Sequence, residues 1–351
     1  MKRFLLGGFA IVLASALPGA CDCGLEPLDN IPDPPVVEDP PAEPEFGIVK
    51  GRVCGPDGET WLSEANIYVK FDLNGLESRV ETFSDGEGFF TLEGVPVGPR
   101  ILLIEKGSFA GQREILVESG IVTTIPDDAC ALEHAPRIAV VHGSQFDNVE
   151  AVLAEIGVEA ETIDVYGEDW ADDLLGSDEA VNDYDILFLN CRSNEVTFAG
   201  NATMQQRLRD FVEAGGSLHA SDQAYDLIEI AFPDKISFLG DDEVRGAADE
   251  GASVDLVARI LDEGLRGALN RSNVPIHYGL ATWSVMTGVA DGVHVYLEAD
   301  APLIDGDTID NAPQIVGFEH GEGHVVYSSF HQEPGIGVEQ ENVLKLIMFE
   351  L

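Results

Sequence analysis

Short apolar runs alternate with longer amphipathic stretches from residue 136 to the end of the chain, and this rhythm limits the fold more than any other feature. Strands are predicted over residues 138–142, 158–165, 185–190 and 217–220, with helices over 146–156, 203–214 and 222–231 between them. Parallel strands joined by helices need both faces covered, so the expected architecture is an α/β, mostly parallel sheet with helices on both faces. The helix over 203–214 shows the pattern. Leu208, Phe211 and Val212 fall on one side, Arg207, Arg209, Asp210 and Glu213 on the other, and Gly215-Gly216 ends it. An insertion over 232–275 is expected to carry a helix over 254–269 lying across the strand ends. Strands over 282–286, 293–298, 314–318 and 324–329 and a helix over 338–349 complete this half.

Residues 47–130 read differently. Ile67, Val69 and Phe71 alternate with Asn66, Tyr68 and Lys70, and similar short runs recur between glycine-rich turns, so a small all-β sandwich is expected and the chain as a whole is multidomain. Cys54 and Cys130 bracket the segment, and an oxidising compartment would allow them to join as a disulfide. The succession Gly51-Arg52-Val53, Ala65-Asn66-Ile67-Tyr68-Val69, Ser84-Asp85-Gly86-Glu87-Gly88-Phe89-Phe90 and Val95-Pro96-Val97-Gly98 resembles the carboxypeptidase regulatory-like domain. That resemblance implies a transthyretin-like sandwich without catalytic residues, serving as a spacer or docking module.

The first twenty residues have the layout of a signal peptide: Lys2 and Arg3, an apolar stretch from Phe4 to Leu17, then Gly19 and Ala20. The stretch is shorter than the ~20 residues a spanning helix needs. With Cys21 at the cleavage position it resembles a bacterial lipoprotein signal, which implies lipidation of Cys21. Residues 21–46, crowded with Pro, Asp and Glu, are expected to form a disordered tether. The expected location is the cell envelope, lipid-anchored on the outer membrane or the periplasmic face, with the membrane reached through the N-terminal lipid and with an envelope ligand or protein as partner. Sixty-four acidic against nineteen basic residues, a net charge of −45, repel phosphate backbones and exclude nucleic acid as a partner.

Two distant stretches read as halves of one site: His219-Ala220-Ser221-Asp222-Gln223 and Phe330-His331-Gln332-Glu333. Ser221 stands between a predicted strand and a predicted helix, where a nucleophile gains exposure and nearby amide donors. His331 and Glu333, two apart at a strand end, would share a face, letting the carboxylate orient the imidazole. The tip Asn190-Cys191-Arg192-Ser193-Asn194 would supply an oxyanion donor, and Asp222, His219 and Tyr225 would line the pocket. Cys191 itself reads as an inert core thiol.

The strand order, the Gly-Gly before the turn and the Phe-His-x-Glu resemble the class I glutamine amidotransferase-like superfamily, of flavodoxin-like fold. In that family the turn carries a cysteine; here Ser221 takes its place, while His331 and Glu333 match. The family also has glycine two residues before and two after the nucleophile, where this chain has His219 and Gln223. Such bulk suggests a relaxed turn. The expectation is therefore an extracytoplasmic lipoprotein whose amidotransferase-like half binds a ligand or partner, such as a carbohydrate, without catalysis; the alternative is a serine hydrolase using Ser221, His331 and Glu333. No cofactor or metal site is expected, since no cysteine pair has zinc spacing and His219 with His331 lacks a third ligand. Ca²⁺ at Asp305-Gly306-Asp307 with Asp310, or at Asp241-Asp242-Glu243, is the alternative, although neither cluster has an ordered calcium-loop pattern.

Overall fold

A computed structural model describes residues 45–351 apart from residues 74, 135, 144–146, 165–169, 194–195, 241, 243 and 334. The signal, Cys21, the tether and Asn194 lie outside the described residues, as do Asp241 and Glu243 of one acidic cluster. Seven strands come first: β1 (Phe46–Arg52), β2 (Asn66–Leu73), β3 (Leu76–Phe83), β4 (Phe89–Pro96), β5 (Gly98–Lys106), β6 (Phe109–Val117) and β7 (Val122–Thr124). They form a three-stranded sheet in the order β4-β1-β7 and a four-stranded sheet in the order β3-β2-β5-β6. Val49, Phe90 and Leu92 of the first and Ile67, Val69, Leu102 and Ile104 of the second are buried in one apolar cluster. The alternation read from the sequence marks the inner face at Ile67 and Val69, although Tyr68 on the opposite face is also buried and Phe71 only partly so. The Cys54–Cys130 disulfide forms, joining the chain just after β1 to the exit of the segment.

The rest runs β8 (Ile138–His142), α1 (Val149–Glu155), β9 (Glu161–Asp164), α2 (Trp170–Leu175), α3 (Asp178–Val181), β10 (Ile186–Leu189), α4 (Val196–Ala199) and α5 (Ala202–Glu213). Then follow β11 (Ser217–Ser221), α6 (Tyr225–Ala231), β12 (Ile236–Phe238), β13 (Val254–Ile260), α7 (Glu263–Leu269) and β14 (Asn273–Tyr278). The chain closes with β15 (Met286–Val289), β16 (His294–Pro302), β17 (Thr308–His320), β18 (Gly323–Ser328) and α8 (Val338–Ile347).

One nine-stranded sheet has the order β14-β13-β16-β17-β18-β11-β10-β8-β9. Its pairings are parallel from β9 through β8, β10 and β11 to β18, and antiparallel from β18 through β17, β16 and β13 to β14. The sheet is therefore half parallel, which corrects the expectation of a mostly parallel one. Both faces of the parallel half are covered. Ile138, Val140, Ile186 and Phe188 pack with α1 and α8, whereas Ala139, Val141, Leu187 and Leu189 pack with α2, α5 and α6.

The helix expected over 254–269 is half strand. Val254, Leu256, Ala258 and Ile260 alternate with Asp255, Val257 and Arg259, a period of two that defines β13, and the helix begins only at Glu263 after the Asp262 cap. β14 carries Pro275, which a ladder tolerates because this strand is the sheet edge. The β-rich segment packs on the helical face that holds α8. The Phe109 and Phe349 rings lie 4.8 Å apart and Lys106 pairs with Glu350 at 2.6 Å, so residues 44–351 make one compact unit.

Candidate functional site

The site lies where β10, β11 and β18 end side by side, at the carboxyl edge of the parallel half, the usual place for ligands in such sheets. A cavity of about 100 Å³ opens there, lined by Cys191 and Arg192 after β10, Asp222 and Gln223 after β11, His331 and Glu333 after β18, and Tyr278 and Trp283 from the antiparallel side. The sequence brought the right three strand ends together, but it assigned the corner wrongly.

Ser221 is the last residue of β11, with an extended backbone at φ −124° and ψ 140°. The chain turns one residue later: Asp222 has φ 45°, a left-handed conformation costly for a side chain other than glycine. The turn is therefore sharp, and its corner is a carboxylate. Counted from Asp222, the residues two before and two after are Ala220 and Ala224, both fully buried and small enough for a tight strand-to-helix turn. The clue was in the sequence, one register later than the serine suggested.

The Ser221 hydroxyl points inward. It donates to Asp147 Oδ2 at 2.6 Å and accepts from the Cys191 amide at 2.9 Å, which also donates to Asp147 at 3.0 Å. Asp147 is 1 % exposed, and burial pushes its carboxyl up, partly offset by His331 and by these two hydrogen bonds. Among the described residues no hydrogen bond joins Ser221 to His331, so the Ser221–His331–Glu333 chain of the hydrolase alternative is not assembled. Glu333 lines the cavity with His331, yet its carboxylate accepts from the Gly279 amide at 2.8 Å. Both residues follow β18 in irregular chain, so the strand periodicity expected to align them does not apply.

Asp222 is the hub. Its Oδ1 accepts from the Ser284 amide at 2.9 Å, and its Oδ2 lies 3.3 Å from Cys191 Sγ and 3.4 Å from His331 Nδ1. Burial would lower the His331 imidazole, but Asp222, Asp147 and Glu333 outweigh it and push it up to about 9. Burial, with the charges of Asp222 and Asp147, pushes the Cys191 thiol up, only partly opposed by the Gln223 backbone. Cys191 is buried with its thiol pushed up, as expected of a core thiol rather than a nucleophile, and its sulfur lines the cavity beside Asp222.

The remaining expected pocket residues divide. Arg192 lines the cavity, its Nε donating to Gln223 at 2.7 Å. Ser193, His219 and Tyr225 do not line it. The Ser193 hydroxyl bonds to the Asn190 carbonyl, Tyr225 OH accepts from the Ala248 amide, and His219 packs against Phe188 inside the sheet, where burial lowers its imidazole to about 4. All three side chains point into the layers. Tyr278 and Trp283, stacked at 4.0 Å, were missed because they arrive from the antiparallel extension, which has no local motif.

No family model matches the sequence, and no curated protein matches it. Solved structures similar to it include one described as part of a GMP synthase from Thermoplasma acidophilum, at 13% identity and TM-score 0.41, covering 62% of this chain and 94% of that one. PurLQS from Thermotoga maritima is similar at 13% identity and TM-score 0.38, over 62% of this chain and 98% of its own. A ThuA-like protein from Bacteroides uniformis is similar at 11% identity and TM-score 0.39, over 61% and 90%. No activity is carried over from them.

Proposed function

We propose that this chain is an exported, lipid-anchored protein of the cell envelope whose amidotransferase-like half binds a small polyhydroxylated ligand and does not hydrolyse it. The β-rich segment is read as a transthyretin-like sandwich that presents this half above the membrane on its acidic tether. One observation carries the non-catalytic reading: the corner of the turn is Asp222, while the hydroxyl of Ser221 is committed to Asp147. A serine nucleophile needs its base within hydrogen-bond reach and an open amide beside it. Here the hydroxyl is held instead between Asp147 and the Cys191 amide.

The lining supports the ligand class. Tyr278, Trp283 and Phe330 line the cavity beside Gln223, Glu333 and Arg192, a mixture of apolar and hydrogen-bonding groups suited to the carbons and hydroxyl rim of a sugar ring. A fluorophosphonate probe is expected to leave the full-length protein unlabelled. Titration with neutral mono- and disaccharides is expected to change tryptophan emission in the parent and not in Trp283→Phe. Labelling that disappears in Ser221→Ala would establish the serine hydrolase instead, and an emission unchanged by every sugar removes the carbohydrate assignment.

A further inference from the structure

We infer that Cys191, Asp222 and His331 form a binding site for a divalent transition metal ion of the zinc type, with one coordination position left open toward the cavity. The three donors are the sulfur, one carboxylate oxygen and one ring nitrogen, all within 4.8 Å of one another. Zinc bonds of ~2.0–2.3 Å to S, N and O in a tetrahedron set donor separations of roughly 3.3–3.6 Å. The measured Cys191 Sγ to Asp222 Oδ2 and Asp222 Oδ2 to His331 Nδ1 distances are 3.3 and 3.4 Å. Three mixed donors with an open fourth place are the pattern of a site that binds an exogenous group.

A second observation points the same way. The His331 side chain is 11 % exposed; its Nδ1 meets only the Asp222 carboxylate, at 3.4 Å, and its Nε2 has no hydrogen-bond partner among the described residues. Buried ring nitrogens are normally satisfied, so an imidazole with one nitrogen bare and the other held only by a long contact to a carboxylate calls for a ligand. The surroundings hold the donors in place. Ser284 fixes the second Asp222 oxygen, and Ser221 and Asp147 hold the backbone at Cys191. When the ion binds, the thiol proton shared with Asp222 leaves to solvent as the metal–sulfur bond forms. Nδ1 binds through its lone pair, and any proton it carries is released as well.

The site shares the cavity with the proposed organic ligand, whose hydroxyl would meet the open position, but the ion's binding stands independently of which molecule enters. The spacing signals of zinc sites are absent because the donors come from three different strand ends.

The test uses the full chain with Cys21→Ser and Cys23→Ser, so that Cys191 is the free thiol, after removal of metals with a chelator. Co²⁺ is expected to produce a near-ultraviolet thiolate-to-metal charge-transfer band that saturates at one ion per chain, is abolished by excess Zn²⁺ and survives excess Ca²⁺. Cys191→Ser is expected to lose the band. His331→Gln and Asp222→Asn should weaken binding at least about tenfold. A protein with native circular dichroism and no band, or a band that persists in Cys191→Ser, overturns the inference. Fluorophosphonate labelling bears on the non-catalytic reading alone, so failures of the two are separable.

Discussion

Ser221→Ala separates a structural serine from a catalytic one. The hydroxyl is 2 % exposed and donates to a buried carboxylate, a charge-assisted bond that contributes about 1.5–3 kcal/mol. The Cys191 amide keeps Asp147 as an acceptor when the hydroxyl goes, so no backbone donor is orphaned and the loss should stay within that range. At roughly 2–4 °C per kcal/mol for a unit of this class, the melting temperature should fall by about 5 °C. The loss should also depend on pH. The Ser221 bond lowers the Asp147 carboxyl, so its removal pushes that group further above its unfolded value. A raised acid contributes stability at low pH and loses it as pH rises through the folded value, so the variant should fall further below the parent in alkaline than in acid buffer. Denaturant melts of both proteins at several pH values measure this directly. A destabilisation below about 0.5 kcal/mol, or one of the same size at every pH, would refute the assignment of the hydroxyl to Asp147.

Other consequences can be measured on the same protein. Burial and neighbouring carboxylates raise Asp249 and Glu229 to about 7 each; both lie above their unfolded values, so stability should increase as pH falls from 8 to 5, read as a rising midpoint in urea. Replacing both Cys54 and Cys130 with Ser opens a link across 76 residues and should cost about 4 kcal/mol, with reductant alone producing a similar fall in the parent. Phe349→Ala removes a buried ring at the junction between the β-rich segment and α8, and a loss of about 3–5 kcal/mol in calorimetry is expected. If the two halves then melt separately, the ring also couples them; a single unaltered transition contradicts its placement.

Much of this molecule was legible in one dimension because the signals are local. Period-two burial marked the strands of residues 46–117, and the apolar runs at 138–142, 186–189 and 217–221 placed the parallel core to within a residue or two. The same logic was available at β13, where alternation over Val254–Ile260 was overridden by the helix that follows it. The elbow was legible as well, since Ala220 and Ala224 flank Asp222, but a serine one position earlier drew the assignment to itself.

What the sequence alone determined was the layered α/β plan, the β-rich segment with its disulfide partners, the charge, and the two chain stretches that meet at the sheet edge. Only the tertiary structure decided that the sheet is half antiparallel, that the Ser221 hydroxyl faces Asp147, and that Cys191, Asp222 and His331 converge. The reason is physical: periodicity records which face of an element is buried. The direction of a single side chain at a turn depends instead on one backbone dihedral and on partners brought from strands far away in the chain.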